Sequence, residues 1–146
     1  MQKKDLLKKM VEKGMKKSFC KLFLKGYLEI APFSYVQVKN DTGHKYKKYF
    51  GDSYDKFGIY IFYDPKNEEI KYIGEAASEP FSKRLTQHFN ESNGGLRFKK
   101  TDKIDVIEAC DVLILYGKYN NNNKYRDIHF DEDLLIGLFR PFLNDR

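Results

Sequence analysis

The chain has 146 residues, of which 41% are hydrophobic and 16% aromatic, a composition that predicts one folded domain with its own core and argues against disorder. It has no apolar run long enough to span a membrane and no secretory signal, and its two cysteines, Cys20 and Cys110, are too far apart in sequence to form a zinc knuckle. We therefore expect a reducing, cytoplasmic setting without membrane insertion. The formal net charge of +6 is typical of a protein with a polyanionic partner, but it does not distinguish a nucleic acid from an anionic membrane surface.

The first eighteen residues predict an amphipathic helix. Its apolar stripe consists of Leu6, Leu7, Met10 and Val11, and lysines fill much of the remaining surface. A helix docked on the core with a solvated lysine face explains this pattern, and so does an arm that binds DNA phosphates or a helix that lies on a membrane. An apolar stretch follows at 19–30, so we expect residues 1–55 to form a basic N-terminal extension packed on the core.

The turn-prone segment at 38–56 contains the sequence HKYKKY, residues 44–49. Basic and aromatic residues alternate here, a composition that suits contacts with a phosphate backbone and with stacked bases. The segment is therefore a candidate nucleic-acid contact, with Lys45, Lys47 and Lys48 as its cationic residues.

Two strands joined by a turn are predicted in the middle of the chain, at 57–63 and 70–74. Alternation places Gly58, Tyr60 and Phe62 on one face of the first strand and apolar residues on the other, which predicts a central strand. The sequence Asp-Pro-Lys-Asn at 64–67 supplies the turn. In the second strand, Tyr72 is predicted to share a face with Gly74 and Ile70. Glycine is unfavourable inside strands, so its pairing with tyrosine in both strands suggests room for a ligand to approach closely.

The second half of the chain predicts two more helices and a third strand. A helix is expected at about 80–90, with Pro80 in its first turn, followed by a basic glycine-containing loop at 91–103. The apolar run at 105–116 predicts a strand, and the asparagine run at 120–123 predicts a loop. The last helix is expected to begin near Asp131 and to end at Pro141.

Charged residues interrupt the apolar stripes of both helices. Arg84 and His88 are four residues apart on the core-facing stripe of the first, and Glu132 shares a face with apolar residues of the second. A structural Arg–Glu pair with His88 as its neighbour explains these positions. Because buried charges concentrate at functional sites, the alternative is a cleft that Arg84, His88 and Glu132 form with Tyr60 and Tyr72. Such a set of side chains suits a phosphodiester.

Four ordered motifs resemble those of the GIY-YIG nuclease family, over about residues 57 to 144. They are Gly58-Ile59-Tyr60, Tyr72-Ile73-Gly74, Arg84-Leu85 followed by His88, and Glu132 followed by Leu135, Ile136, Pro141 and Asn144. The resemblance implies an α+β fold with a small antiparallel three-stranded sheet flanked by helices, within a nuclease core at 56–146. The basic helical extension would precede this core. The implied activity is hydrolysis of DNA with a divalent ion, Mg²⁺ or Mn²⁺.

The resemblance also implies roles for individual residues. Glu132 would be the metal ligand, Tyr60 the general base, and Arg84 the residue that holds the scissile phosphate. Tyr72 and His88 would position the reacting groups, Gly58 and Gly74 would form the floor of the site, and Asn144 would brace it. Lys71 is a candidate for lowering the pKa of Tyr60, although adjacent strand residues face opposite ways. Glu75 departs from the expected pattern, which favours a basic or neutral residue there.

A small restriction-type endonuclease that dimerises to cut both strands is the preferred interpretation. We expect no C-terminal DNA-reading domain, so DNA contacts would come from the extension and from the basic loop. The predicted DNA-binding residues are Lys45, Lys47, Lys48, Arg97, Lys99 and Lys100. The alternatives are a stand-alone repair nuclease, a mobile-element (homing-like) nuclease, a non-catalytic nucleic-acid-binding module on the same fold, and a membrane-surface adaptor. Both cysteines, His44 and His129 are interpreted as structural or incidental.

Overall fold

An antiparallel sheet forms the centre of the protein. The structure, a computed structural model, describes residues 1–41, 43, 45–89, 101–117 and 125–144, with the backbone alone at 101–104, 125 and 126. The strands are β1 (Tyr27–Glu29), β2 (Phe33–Ser34), β3 (Gly58–Tyr63), β4 (Ile70–Ala76) and β5 (Asp111–Gly117). Their order is β1-β5-β3-β4. β2 pairs with the start of β5, and β1 pairs with the end of β5.

Helices cover both faces of this sheet, which confirms the predicted α+β fold. They are α1 (Lys3–Glu12), α2 (Lys17–Lys25), α3 (Tyr35–Lys39), α4 (Lys47–Phe50), α5 (Phe81–Arg84), α6 (Thr86–Phe89), α7 (Thr101–Glu108) and α8 (Tyr125–Phe139). Within the described part of the chain, no helix combines the length and the apolar composition needed to cross a membrane.

The β3–β4 hairpin separates two apolar clusters. Every residue of β3 is buried, because the strand lies between β4 and β5 and has a core on each side. We call the side that carries Tyr60 and Tyr72 the tyrosine face; α3, α5, α6 and α7 contribute to its core. We call the side that carries Ile59 and Ile61 the isoleucine face; α1, α2 and α8 contribute to its core. The predicted central strand is confirmed.

A bulge changes the predicted alternation at the start of β4. Phe62 pairs with Tyr72, but the next residue of β3, Tyr63, pairs with Ile70, so Lys71 is an extra residue in β4. Ile70 therefore belongs to the core of the isoleucine face. The prediction that it shares a face with Tyr72 is wrong, because strict alternation does not hold across a bulge.

The N-terminal segment contributes to the same sheet and the same core. β1 and β2 pair with β5, so the sheet has five strands instead of the predicted three. The predicted helix at 1–18 is two helices, because the chain turns at Gly14, whose φ of +99° favours glycine. Leu6 and Met10 are fully buried, as the apolar stripe predicts, whereas Val11 is 37% exposed. The division at residue 55 stays a prediction.

Three element boundaries in the second half differ from the prediction. The helix at 80–90 is divided at Leu85 into α5 and α6. The predicted strand at 105–116 is too long, because β5 begins only at Asp111. The predicted loop at 91–103 ends too late, because α7 begins at Thr101 and continues to Glu108. An apolar run cannot by itself distinguish a helix from a strand, and the buried residues Ile107 and Cys110 are three apart, which is helical spacing. The last helix begins at Tyr125, well before Asp131, and ends before Arg140 and Pro141 as predicted.

Part of the predicted basic surface is outside the described residues. Arg97, Lys99 and Lys100 fall in the stretch 90–100, and the asparagine run falls in the stretch 118–124. His44 is outside them as well.

Candidate active site

A tyrosine–histidine pair lies at the centre of the tyrosine face. The hydroxyl of Tyr60, whose side chain is fully buried, is 2.7 Å from Nε2 of His88. The His88 ring also lies edge-on to Tyr72, with 5.6 Å between ring centroids, and the rings of Tyr60 and Tyr72 are 6.1 Å apart. The structure thus brings three of the predicted site residues into direct contact.

Local structure fixes the position of His88. Its carbonyl oxygen accepts a hydrogen bond from the hydroxyl of Tyr35 at 2.5 Å, and the neighbouring Phe89 packs against the Tyr35 ring at 4.9 Å between centroids. Thr86 directs its hydroxyl back to the carbonyl oxygens of Ser82 and Lys83, which ties the start of α6 to α5. This short helical segment holds the imidazole over the sheet.

Arg84 is the last residue of α5, four positions before His88. Its helix packs on the tyrosine face through its neighbours Phe81 and Leu85, and Arg84 itself is half-buried. Among the described residues, no side-chain hydrogen bond or ion pair occupies its guanidinium, and it is therefore available to an anion.

The hairpin glycines accommodate protein atoms, and the predicted room for a ligand is not present. A Cβ at Gly58 would collide with the carbonyl oxygen of Leu115 and would lie 2.8 Å from Cα of Tyr116 in β5. A Cβ at Gly74 would collide with the Tyr60 ring, with its hydroxyl oxygen at 2.5 Å. Gly58 therefore allows close pairing of two strands, and Gly74 lets the Tyr60 ring lie flat across β4.

Glu132 approaches the hairpin from the isoleucine face. It lies on the stripe of α8 that carries Ile128 and Leu135, and only 4% of the residue is exposed. Glu75 pairs with Ile59 across the hairpin and so also lies on this face. One ligand atom each from Glu75, Glu132 and His129 lie within 4.8 Å of one another. We call these three residues the carboxylate–histidine cluster.

Contacts with two carboxylates hold His129 within this cluster. Its Nδ1 is 2.9 Å from one carboxylate oxygen of Glu75 and 3.1 Å from the other. Its Nε2 is 3.6 Å from Asp133, one helical turn further along α8. The hydrogen bond with Glu75 and the charge of that carboxylate raise the pKa of His129. Half of the His129 side chain and a fifth of the Glu75 side chain are exposed, so the cluster borders solvent.

The contact between Glu75 and His129 was not predicted from the sequence, where His129 was interpreted as structural or incidental. The signal for His129 is its spacing, because residues three apart on a helix share a face and His129 precedes Glu132 by three. Glu75 follows Gly74 directly, where the family pattern favours a basic or neutral residue. Its neighbour on α8 is more than fifty residues away in sequence, and no local pattern predicts that contact.

Asn144 braces the hairpin from its outer edge. Its side-chain oxygen accepts a hydrogen bond from the backbone N–H of Ile73 at 2.9 Å, and its side-chain nitrogen donates to the carbonyl oxygen of Ile73 at 2.9 Å. The backbone N–H of Leu143 donates to the carbonyl oxygen of Lys71. The C-terminal segment therefore pairs with β4 as a further strand would.

The structure gives Lys71 a partner other than Tyr60. Its ammonium group is 2.9 Å from Glu69, and it lies three residues along β4 from Gly74, which is a distance of about 10 Å in a strand. We therefore assign it no part in setting the pKa of Tyr60.

The aromatic residues of the HKYKKY segment are half-buried and pack against the core. Tyr46 stacks on Phe50 and Phe89, and Tyr49 packs against Phe33, so these rings are partly engaged within the protein and the base-stacking surface stays a prediction. The lysines are exposed: Lys45, Lys47 and Lys48. Lys48 is paired with Asp41 at 3.0 Å, and hydrogen bonds from Lys48 and Tyr49 lower the Asp41 pKa to about 2.

The fold and these side chains define a class of protein, a small α+β domain with a buried tyrosine–histidine pair on one face of its central hairpin and a buried glutamate on the other. Residues 56–131, more than half of the chain, match the family described as the GIY-YIG catalytic domain. The chain therefore belongs to the GIY-YIG family, which implies nuclease activity with DNA as the substrate and, in general, a divalent metal. The match includes Tyr60, Tyr72, Arg84 and His88 and ends one residue before Glu132. Comparison with curated proteins and with solved structures gave no match.

Proposed function

We propose that the protein is a divalent-metal-dependent DNA endonuclease that hydrolyses phosphodiester bonds. The observation that carries this proposal is the 2.7 Å contact between the Tyr60 hydroxyl and His88 Nε2, within the segment 56–131 that matches the GIY-YIG family. In this proposal Tyr60 is the general base, Arg84 stabilises the phosphate and Glu132 is a metal ligand.

The contact with His88 supports the role of Tyr60. A free tyrosine has a pKa of about 10, so it is a poor base at neutral pH unless its proton is held elsewhere. A neutral imidazole with an unprotonated Nε2 accepts that proton and orients the phenol oxygen. Tyr60 then takes a proton from water as the new bond to phosphorus forms and the bond to the leaving sugar oxygen breaks, and that oxygen gains a proton from solvent. Because the side chain is fully buried, bound DNA must displace some surrounding groups to admit that water.

Arg84 suits the phosphate because a guanidinium presents several N–H donors in one plane. Electrostatic stabilisation of developing negative charge is often the largest contribution to catalysis. Tyr72, in contact with the His88 ring, would keep the imidazole in place.

The carboxylate–histidine cluster fits a divalent ion. Two carboxylates supply the hard oxygen ligands that Mg²⁺ and Mn²⁺ prefer. When bound, such an ion supplies positive charge that stabilises the phosphate as it is attacked. Glu132 would hold it at the end of β4.

The finer assignment is a restriction-type enzyme that acts as a homodimer. We propose that Lys45, Lys47 and Lys48, together with Arg97, Lys99 and Lys100, bind the DNA backbone. We also propose a cytoplasmic setting, which the two buried free cysteines support. A repair or mobile-element nuclease and a non-catalytic nucleic-acid-binding module remain the alternatives.

The first experiment is a cleavage assay. The purified chain is incubated with supercoiled plasmid and with phage DNA, with Mg²⁺ or with a chelator. Discrete fragments that require the metal would establish the endonuclease and favour the restriction assignment. Nicking or smearing would favour a repair-type enzyme, and binding without cleavage on all DNAs and metals would favour the non-catalytic module.

Substitution of Glu132 tests its assigned role. Glu132→Ala should abolish cleavage and leave DNA affinity within about twofold, because it removes a metal ligand and not the basic surface. Glu108→Ala is the matched control, since Glu108 is a glutamate of α7, on the tyrosine-face side of the sheet, where it pairs with Lys39. Cleavage by the Glu132 variant at the rate of the control would contradict the metal assignment.

A further inference from the structure

We propose that Glu75 and His129 bind the metal together with Glu132. The site would then offer two carboxylates and an imidazole, and it would select a first-row transition ion such as Mn²⁺ over Mg²⁺. This inference rests on the proposed function and deepens it, because it names the ligands and the ion preference of the same site.

The geometry of the cluster carries the inference. Two ligand atoms that each lie about 2.1 Å from one ion are at most about 4.2 Å apart. The three ligand atoms here are within 4.8 Å of one another. Three ligand atoms on one ion lie closer together, about 3 to 4 Å apart for most pairs, so side-chain movements of roughly 1 Å would bring all three onto one ion. They come from two elements, β4 and α8, which are packed against each other, so the site is assembled by the fold and not by one loop.

The environment of each residue is that of a ligand held in place. Glu132 is 4% exposed, on a rigid helix, and His129 is one turn earlier on the same face. Asp133 lies 3.6 Å from the second nitrogen of His129, on the side away from Glu75. At 3.6 Å this carboxylate is just beyond hydrogen-bond distance, in the position from which a carboxylate commonly orients a metal-bound histidine.

The identity of the ligands determines the preference among ions. Carboxylate oxygens bind both Mg²⁺ and Mn²⁺. Mg²⁺ is a hard ion that is bound mainly by oxygen and only weakly by nitrogen. Imidazole favours transition ions. A site with one imidazole should therefore discriminate against Mg²⁺, which a site with a single carboxylate would not do to the same extent.

The test is direct measurement of Mn²⁺ binding by electron paramagnetic resonance, without DNA. In the full chain, we expect Mn²⁺ to bind at least tenfold more tightly than competing Mg²⁺, with a nitrogen coupling from a directly bound imidazole. His129→Gln should weaken Mn²⁺ binding by about 10- to 100-fold, weaken Mg²⁺ binding less, and remove the nitrogen coupling. Glu75→Gln should weaken binding of both ions, and Glu108→Gln should change neither.

The outcomes separate this inference from the proposed function. If Glu132→Gln abolishes Mn²⁺ binding while the His129 and Glu75 variants bind normally, the site has one carboxylate ligand and the inference is wrong, although the proposed function stands. Absence of Mn²⁺ binding at millimolar concentration would also overturn it. Three-ligand binding in a chain that cleaves no DNA would support the ligands and overturn the nuclease. Because His129 is exposed, its substitution should leave the fold intact, and circular dichroism of the variant checks this.

Discussion

At the scale of single residues, Gly74 is constrained by the Tyr60 ring. Gly74→Ala should destabilise the fold by about 1–3 kcal/mol, because the new methyl group overlaps a buried ring that has little room to shift. It should also weaken the Tyr60–His88 contact and with it any cleavage activity. The midpoint of urea unfolding gives the first effect and the cleavage rate gives the second.

Gly137→Ala is the matched control for this substitution. Gly137 is exposed in α8, and a Cβ there would meet no atom within 4 Å. Alanine should therefore stabilise the helix by about 0.5–1 kcal/mol and leave activity unchanged. If Gly74→Ala and Gly137→Ala behaved alike, the Tyr60 ring would not be packed on Gly74.

Candidate site residues that are close together in the sequence were predictable, and contacts between distant segments were not. Arg84 and His88 were predictable because a helical stripe and a known motif both point to them. The partnership of Glu75 with His129 was not, because it forms only when α8 packs on β4. The glycines were singled out as leaving room for a ligand, but atoms of β5 and of Tyr60 fill that space, and no local pattern specifies those contacts.

At the scale of elements, β4 is at the end of the sheet order and depends on Asn144. Asn144→Ala should cost about 2 kcal/mol, because two hydrogen bonds to Ile73 are lost at the strand edge. The Ile73 amide should also exchange faster with deuterated water, by a factor of ten or more. Hydrogen exchange followed by nuclear magnetic resonance measures this amide directly.

A second variant separates the two hydrogen bonds. Asn144→Asp keeps an oxygen that accepts a hydrogen bond from the Ile73 N–H but loses the donor to the Ile73 carbonyl oxygen. The Ile73 amide should therefore exchange faster in this variant than in the wild type, and more slowly than in Asn144→Ala. Unchanged exchange at Ile73 in both variants would show that the C-terminal segment does not clamp β4 in solution.

Elements were predictable where two signals agreed. The hairpin combined strand alternation with a proline-containing turn, and its bounds were nearly correct. The run at 105–116 had only its apolar character, and the structure divides it between α7 and β5. The two added strands, β1 and β2, form only by pairing with the distant β5, and the bulge at Lys71 depends on the register between β3 and β4. No local sequence pattern predicts either feature.

At the scale of the whole molecule, the sheet separates the two halves of the candidate site. The tyrosine–histidine pair and Arg84 lie with the tyrosine face, and the carboxylate–histidine cluster lies with the isoleucine face. Consecutive residues of β4, Gly74 and Glu75, belong to one half each. The structure therefore does not bring the five residues of the predicted single cleft together on one face, because Glu132 lies across the sheet from Tyr60, Tyr72 and His88.

Buried tyrosine hydroxyls and a buried thiol predict that the free energy of unfolding decreases at alkaline pH. Burial raises the pKa of Tyr27, Tyr35 and Tyr63 above 10.0 and raises that of the Cys110 thiol from 9.0 to about 12. The unfolded chain loses these protons first, so the free energy of unfolding is highest below pH 9 and falls as pH rises, on the order of a few kcal/mol by pH 10.5. Urea midpoints at pH 8, 9.5 and 10.5 measure this slope. Tyr27→Phe should make it shallower, since that hydroxyl, 2.6 Å from Asp131, no longer titrates. A midpoint that stays constant to pH 10.5 would show that these groups are accessible to solvent in the folded protein.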